Sequence, residues 1–128
     1  MVTDPISDFL VRLKNASMAK KKRLLTPVST IIKALADVLA REGYVEEVTR
    51  PRKNGSLSVS LRYRDGRPAI QGIKRMSKPS RRLYLGVRDI RSVKRGHGLL
   101  VLSTPAGILT GKEAKEKRVG GEALFEIW

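Results

Sequence analysis

Residues 99–113, with the sequence LLVLSTPAGILTGKE, decide the fold of the second half of the chain. The apolar run at 99–104 predicts a strand, and Pro105 and Gly107 mark a turn into a second strand at 107–110. Thr110 followed three residues later by Glu113 is typical of a capping box, which predicts a short helix ending near Arg118. This stretch therefore predicts β structure interrupted by one small helix.

Outward from this stretch, further short strands are expected at residues 70–76, 83–87 and 122–128, because apolar residues alternate there between Gly and Pro breaks. The expected second domain, residues 68–128, is mainly antiparallel β with one short helix.

The first half of the chain has helical spacing of its apolar residues. Asp4 and Pro5 begin a helix that should run to about Met18, and Ser29 or Thr30 begins a second one that ends before Gly43. Strands are expected at 24–25, 44–50 and 56–63, with Asn54-Gly55 as a hairpin turn. The sequence thus predicts an α+β fold of two small packed domains, the first being an α-β-α-β-β domain over residues 1–67.

The charge of the chain limits its partners. Its 128 residues include 27 Lys and Arg but only 12 Asp and Glu, for a net charge of +15. A surface this basic repels itself unless a polyanion neutralises it, and nucleic acid is the commonest such partner. An acidic protein or an anionic membrane remains an alternative, and a DNA-binding architectural protein is another.

The basic residues are densest between Lys74 and Arg95. Nine of them accompany a single acid, Asp89, which favours a surface for an anionic polymer over an ordinary solvated face. Tyr84 lies within this region. It is either a strand residue half packed on the core or a ring that stacks on a ribose or base.

Residues 99–111 carry no charge, in contrast to the basic region. The small residues at 103–107, Ser-Thr-Pro-Ala-Gly, can approach a rigid partner closely and offer hydrogen-bond donors and acceptors. Composition alone is typical of an ordinary turn. Beside a basic surface, the same residues could read base edges or 2′-hydroxyls.

The sequence gives no support to an enzyme. There is no cysteine, and the single histidine, His97, allows neither a His-based metal site nor a catalytic triad. Gly96-x-Gly98 and Gly111-Lys112 lack the further residues of nucleotide-binding loops. We therefore expect no metal, no cofactor and no small-molecule substrate. The absence of a long apolar stretch or a signal peptide predicts a cytoplasmic protein without a membrane partner.

Three separated motifs resemble the small-ribosomal-subunit protein S-eight family. They are residues 103–110 (STPAGILT) with 119–122 (VGGE), residues 77–84 (SKPSRRLY) with the Gly96-x-Gly98 turn, and the opening Thr3-Asp4-Pro5-Ile6 with Arg12 and Asn15. They occur in order over essentially the whole chain.

The resemblance implies a structural protein that binds the central domain of 16S rRNA and helps assemble the platform of the 30S subunit beside neighbouring 30S proteins. In some members of the family, the protein also represses its own operon by binding a similar structure in the messenger. Residues 68–128 would be the RNA-binding domain, and the resemblance leaves a cytoplasmic or an organellar ribosome open. RNA contacts would fall on residues carried over by position: Ser103, Thr104, Pro105, Gly107, Tyr84, Glu122, Lys78, Arg81, Arg82, Thr3, Asp4, Arg12 and Asn15. Pro105 stands where the family usually has a third hydroxyl residue, which stiffens the loop and removes a donor.

Overall fold

A computed structural model describes residues 4–49, 53 and 55–128. The chain folds as two compact units. The N-terminal unit is Pro5–Gln71, and the C-terminal unit is Gly72–Trp128 together with Asp4. The mixed fold of helices and antiparallel sheets confirms the expected α+β class. The division into domains after residue 67 stays a prediction.

The N-terminal unit contains two helices, a three-stranded antiparallel sheet in the order β1-β3-β2, and a separate short pair of strands, β4 and β5. Its elements are α1 (Pro5–Met18), β1 (Arg23–Pro27), α2 (Thr30–Arg41), β2 (Val45–Val48), β3 (Ser56–Leu61), β4 (Tyr63–Arg64) and β5 (Arg67–Pro68).

Both helices begin and end where the sequence predicts. Helix α1 spans the expected residues and buries Phe9 and Leu13 completely. The Ser29 side chain caps α2 by accepting a hydrogen bond from the Ile32 amide at 3.3 Å. Gly43 follows α2 with a φ of +83°, a conformation in which glycine is favoured because it has no Cβ.

Strand β3 differs from the predicted strand 56–63 in its end and in one buried residue. It ends at Leu61, because Tyr63 lies in β4 and pairs with Pro68 of β5. Leu57, Val59 and Leu61 are buried as expected, but Ser58 is buried as well. Because β3 is the central strand, Leu25 of β1 lies opposite Ser58, and Thr49 bonds the Ser58 carbonyl from the other side. Strand β2 is also shorter than the expected 44–50. Arg50 of that strand and Asn54 of the predicted turn lie outside the described residues.

The C-terminal unit is a five-stranded antiparallel sheet with one short helix. Strands run in the order β6-β10-β8-β9, and β7 also pairs with β10. Its elements are β6 (Ile73–Arg75), β7 (Tyr84–Leu85), β8 (Leu99–Thr104), β9 (Gly107–Thr110), α3 (Gly111–Glu116) and β10 (Gly121–Ile127), with 3₁₀ turns at Val87–Asp89 and Lys94–Gly96.

Residues 99–113 fold as predicted. Strands β8 and β9 have the expected bounds, and Thr110 and Glu113 form the capping box, with reciprocal hydrogen bonds of 3.2 and 3.0 Å. The strands predicted at 70–76 and 83–87 are shorter. Strand β10 has only seven residues, and β6 and β7 pair with its two ends in succession, so neither can be longer.

One core cluster of the C-terminal unit lies on one face of this sheet, where Leu102 is flanked by its cross-strand partners Ala123 and Leu109. Around them pack side chains of the 3₁₀ turns and of α3, including Ile90, Val93 and Ala114. Alternation along the strands places Ser103 and Glu122 on the opposite face, so the candidate site is separated from this core by the thickness of the sheet.

Two adjacent glycines allow the strands to meet at the start of β10. A Cβ on Gly121 would lie 2.2 Å from the Ser103 carbonyl oxygen, and one on Gly120 would lie 2.3 Å from that of Leu85. No side chain fits at either position without moving the backbone. The Gly-Gly pair is therefore a packing requirement for the close approach of β7, β8 and β10.

Gly121→Ala is expected to lower the free energy of unfolding by about 2–3 kcal/mol, because the new methyl group must push β8 away from β10. The matched control is Gly86→Ala, where φ is −73° and a Cβ would be 3.4 Å from its nearest neighbour. That control should change stability by less than about 0.5 kcal/mol. Urea unfolding followed by circular dichroism measures both, and equal losses would contradict the packing argument.

Candidate nucleic-acid interface

Three of the predicted site residues form one row across the C-terminal sheet. Glu122 of β10 pairs with Tyr84 of β7 on one side and with Ser103 of β8 on the other. Directly opposite residues of antiparallel strands point to the same face, so the three side chains are neighbours. Residues separated by 38 positions along the chain are thereby brought into one surface, called here the Glu122 row.

The row offers groups that the rest of the described chain leaves available. The Tyr84 side chain is exposed at 68% and Ser103 is partly exposed. No described residue hydrogen-bonds the Ser103 hydroxyl or the Oε1 atom of Glu122. The row therefore presents a ring, a hydroxyl and a carboxylate oxygen side by side, which can stack, donate and accept.

The other carboxylate oxygen of Glu122 is held firmly. Its Oε2 atom accepts hydrogen bonds from the Ser77 hydroxyl and from the Arg82 guanidinium, the latter at 3.0 Å. Burial by itself raises the pKa of Glu122, but the hydrogen bonds from Ser77 and Arg82 and the positive charge of Arg82 and Arg75 lower it by more. The carboxylate is therefore held ionised, with a pKa below its ordinary value.

Lys78 and Arg81 face each other across a two-residue turn. Each backbone amide donates to the carbonyl of the other at 3.0 Å, with Pro79 and Ser80 between them. Both side chains are exposed, and Arg82 follows with half of its side chain exposed. This segment, residues 78–82, is called here the basic turn.

Not every cation of the basic region is equally available. Arg75 pairs with Asp4 at 3.2 Å, Arg82 pairs with Glu122, and the Lys94 ammonium lies 4.5 Å from the Trp128 ring centroid. The remaining six are exposed and have no ionic partner among the described residues: Lys74, Lys78, Arg81, Arg88, Arg91 and Arg95.

The uncharged turn joining β8 to β9, residues 104–107, holds itself together. The Thr104 hydroxyl donates to the Gly107 carbonyl at 2.8 Å and accepts from the Ala106 amide at 3.1 Å. Gly107 has a φ of +106°, whereas neither Pro105 nor Ala106 has a positive φ. Types I′, II and II′ are excluded for this turn, because each requires a positive φ at one or both of the two central residues. The donor of Thr104 is therefore already used inside the turn.

The described site residues predicted near the N-terminus belong to different units. Asp4 belongs to the C-terminal unit, where its carboxylate pairs with Arg75. Arg12 and Asn15 lie in α1 and line an open groove of about 460 Å³ beside β1. Arg12 also bonds Asp8 and the Leu25 carbonyl there. Thr3 lies outside the described residues.

Two residues around Glu122 were not predicted as individual site residues from the sequence. Ser77 is fully buried and Arg75 is mostly so, and both are joined to the row through Glu122. The polar Ser77 directly before the Lys78-Pro79 turn was a signal, but its burial is visible only in the folded chain. Within the described residues, no group of three or more His, Cys, Asp or Glu is arranged to hold a metal, and no helix is long and apolar enough to cross a membrane.

Comparison with known families bears directly on this arrangement. The family model described as "Ribosomal protein S8" matches residues 4–128. The chain belongs to the ribosomal protein S8 family. This confirms the resemblance drawn from the three motifs, and the match covers both turns and the whole Glu122 row. The family is one of structural proteins rather than enzymes.

Relatives with full-length similarity are named accordingly. Proteins named "Small ribosomal subunit protein uS8" are 45% identical in Nitratidesulfovibrio vulgaris and 46% identical in Desulfovibrio desulfuricans, each over 128 residues and 100% of both chains. One from Lactobacillus delbrueckii subsp. bulgaricus is 44% identical over 100% of this chain and 99% of its own length.

The lowered pKa of Glu122 makes a prediction about acid stability. Because the folded-state pKa lies below the ordinary value of 4.5, ionised Glu122 stabilises the fold above that pH, and the contribution disappears as pH falls through the folded-state pKa. Glu122→Gln should therefore lower the free energy of unfolding by about 1–2 kcal/mol at pH 7. The difference from the unmodified chain should shrink between pH 5 and about pH 3.

Urea unfolding from pH 7 to pH 3 measures this difference. The control is Glu46→Gln, which removes the fully exposed carboxylate that pairs with Arg62 at 2.8 Å. Water and salt screen that pair, so its loss should change stability less. Stability curves of the Glu122→Gln variant and the unmodified chain that stay parallel over this pH range would refute the role of the ionised carboxylate.

Proposed function

We propose that this chain is a structural constituent of the small ribosomal subunit that binds the central domain of 16S rRNA and helps assemble the platform of the 30S subunit. The observation that carries the proposal is the Glu122 row, with uncharged recognition groups on one side and the basic turn joined to it through Glu122. Family membership and the names of the relatives support the same conclusion.

The basic turn supplies affinity in this proposal. Lys78 and Arg81 extend into solvent from a closed turn, and long cationic side chains of this kind contact phosphates, which fixes the register of a protein on its RNA. Arg82 combines two roles, since it pairs with Glu122 and still exposes half of its side chain. These contacts carry little sequence information by themselves.

The Glu122 row supplies recognition. The Ser103 hydroxyl can donate to or accept from a base edge or a 2′-hydroxyl, and Glu122 Oε1 can accept from a base amine. The exposed ring of Tyr84 can stack on a ribose or a base. Double-stranded RNA displays its base edges and 2′-hydroxyls in a wide, shallow minor groove, which a flat sheet row can approach.

Thr104, Pro105 and Gly107 act through shape in this proposal. Because the Thr104 hydroxyl closes its own turn, we assign it to holding the loop rigid, so that binding orders little further backbone. Pro105 supports the same conformation by fixing φ at the first corner. A preorganised, uncharged turn can enter a groove without carrying the hydration shell of a charge.

A second RNA contact is proposed for the N-terminal unit. Arg12 and Asn15 line the same groove as Lys21 and Arg23, which places three cations around one open depression. The family resemblance alone supports Thr3 and Asp4 as further RNA contacts in this proposal. Asp4 belongs to the C-terminal unit, where its carboxylate pairs with Arg75. Further partners would be neighbouring 30S proteins on a cytoplasmic ribosome and the messenger of its own operon, if that messenger presents a similar helix.

Salt-titrated binding to a 16S rRNA central-domain fragment tests the function. Unrelated duplex RNA, duplex DNA and anionic vesicles serve as competitors at each salt concentration. An affinity ratio of about a thousand or more over unrelated duplexes that survives raised salt is expected for an RNA-reading protein. An affinity ratio near one, with an affinity that falls steeply as salt is raised, would overturn the proposal in favour of a general architectural nucleic-acid-binding protein. A leader fragment of the operon messenger, titrated in the same way, tests repression.

Two single substitutions should separate affinity from recognition. Arg81→Gln removes a phosphate-contacting charge, so it should weaken binding to specific and unrelated RNA alike and reduce the salt slope by about one unit or less. Ser103→Ala removes a hydroxyl with no partner in the described chain, so it should cost about 1–3 kcal/mol on the specific RNA and leave the slope unchanged. Equal losses on both RNAs from Ser103→Ala would remove the Glu122 row from recognition.

Thr104→Val is the matched comparison on the neighbouring residue. It removes the two hydrogen bonds that close the turn rather than a group facing outward. We expect it to lower the free energy of unfolding by about 1–2 kcal/mol as well as to weaken specific binding, whereas Ser103→Ala leaves stability nearly unchanged. Thermal unfolding of both variants distinguishes the two roles, and unchanged stability of Thr104→Val would contradict the structural role.

A further inference from the structure

We propose that Ser77 is the positioning residue of the RNA interface, acting through Glu122 on one side and through the backbone of Leu83 on the other. The inference rests on the proposed function, because it concerns how the same site is held ready. Ser77 itself touches no RNA in this account, since its side chain is fully buried.

One hydroxyl makes both connections. Ser77 Oγ donates its proton to Glu122 Oε2 and accepts from the Leu83 amide at 3.1 Å. A serine hydroxyl has one proton and two lone pairs, so these bonds use its only donor and orient it in a single direction. Burial makes the arrangement costly to break, because an unpaired polar group away from water loses several hydrogen bonds at once.

The two hydrogen bonds of Ser77 reach β10 of the row and the residue directly before its neighbouring strand β7. Leu83 directly precedes Tyr84, and its carbonyl accepts from the Ala123 amide at 2.9 Å, so its backbone sets the position of the row's aromatic residue. Glu122 is the middle of the row, opposite Ser103. Ser77 also lies immediately before the basic turn. A single buried side chain therefore joins the start of the basic turn to the row.

Two arginines lie close to Glu122 in addition to the neutral Ser77 hydroxyl. Arg82 bonds the same carboxylate oxygen, and the Arg75 guanidinium adds positive charge while it bonds both Asp4 and the Ser77 carbonyl. The phenol of Tyr84 is the remaining titratable group in the row. Arg82 is half exposed and is able to turn toward a phosphate. Ser77 keeps Glu122 in place whether or not Arg82 stays with it.

The first test is a double-mutant cycle on specific RNA binding, using Ser77→Ala, Glu122→Gln and the pair. Loss of a hydrogen bond to a carboxylate predicts that Ser77→Ala weakens specific binding about ten- to a hundredfold, with little effect on unrelated duplex RNA. In the Glu122→Gln background the same change should cost at most about threefold, because the charged acceptor is gone and a neutral amide oxygen accepts more weakly. Full additivity would show a merely structural residue and overturn the inference.

The matched control is Ser58→Ala. Ser58 is also a buried serine, but it lies in β3 of the N-terminal unit, whose strand partners are β1 and β2. It should leave the specific-to-unrelated affinity ratio unchanged. A drop of the same size in this control would mean that removal of any buried hydroxyl disturbs binding, and the role given to Ser77 would fall.

The second test uses the free protein and needs no RNA. Nuclear magnetic resonance titration of the Glu122 carboxyl carbon should show its pKa rising toward the ordinary value in Ser77→Ala, because one of the bonds that lower it is lost. In the unmodified chain, the Leu83 amide proton should shift with the same midpoint as Glu122, since Ser77 connects the two groups. That measurement remains decisive if Ser77→Ala does not fold.

The outcomes separate this inference from the proposed function. If the unmodified chain shows no preference for the central-domain RNA, the proposed function fails, while the titration still reports whether Ser77 holds Glu122. If the preference is present but the Leu83 amide does not follow Glu122, the positioning role is overturned and the function stands.

Discussion

The ionised carboxylate of Glu122 is the constraint on which the C-terminal site depends. A partly buried carboxylate is costly to remove from water, and here a serine hydroxyl and an arginine offset that cost on one oxygen atom. The same residue pairs in register with β7 and β8. Glu122 both pairs with two strands and accepts hydrogen bonds from Ser77 and Arg82. The positions of the basic turn and the Glu122 row are therefore coupled.

The site divides its work between charge and shape. Exposed cations that have no ionic partner among the described residues repel one another, and a bound polyanion would remove that repulsion. The turn at 104–107 has the opposite character, since its hydroxyl and amide groups satisfy each other and it is already in its final conformation. In the proposed function, long-range attraction and close recognition therefore come from neighbouring segments with different physical chemistry.

Much of this arrangement could be predicted from residues alone. The caps Ser29 and Thr110, the breaks at Pro and Gly, and the apolar periodicity place both long helices and strands β8 and β9, since each of these signals acts within a few residues of itself. The family resemblance indicated Tyr84, Ser103 and Glu122 together as RNA contacts. The predicted lengths of β6 and β7 were wrong, because a strand ends where its pairing with a neighbour ends, and their partner β10 is far along the chain.

By itself, then, the sequence determined the α+β class, the strong positive charge and the candidate segments, because composition and local periodicity are properties of the chain before it folds. Three contacts are visible only in the folded chain: the Thr104 hydroxyl donates within its own turn, Asp4 pairs with Arg75, and the buried Ser77 hydroxyl donates to Glu122. Those facts depend on hydrogen bonds between groups brought together by strand pairing and turn geometry. Hydrogen bonds act over about 3 Å, and only the folded backbone fixes which groups come that close.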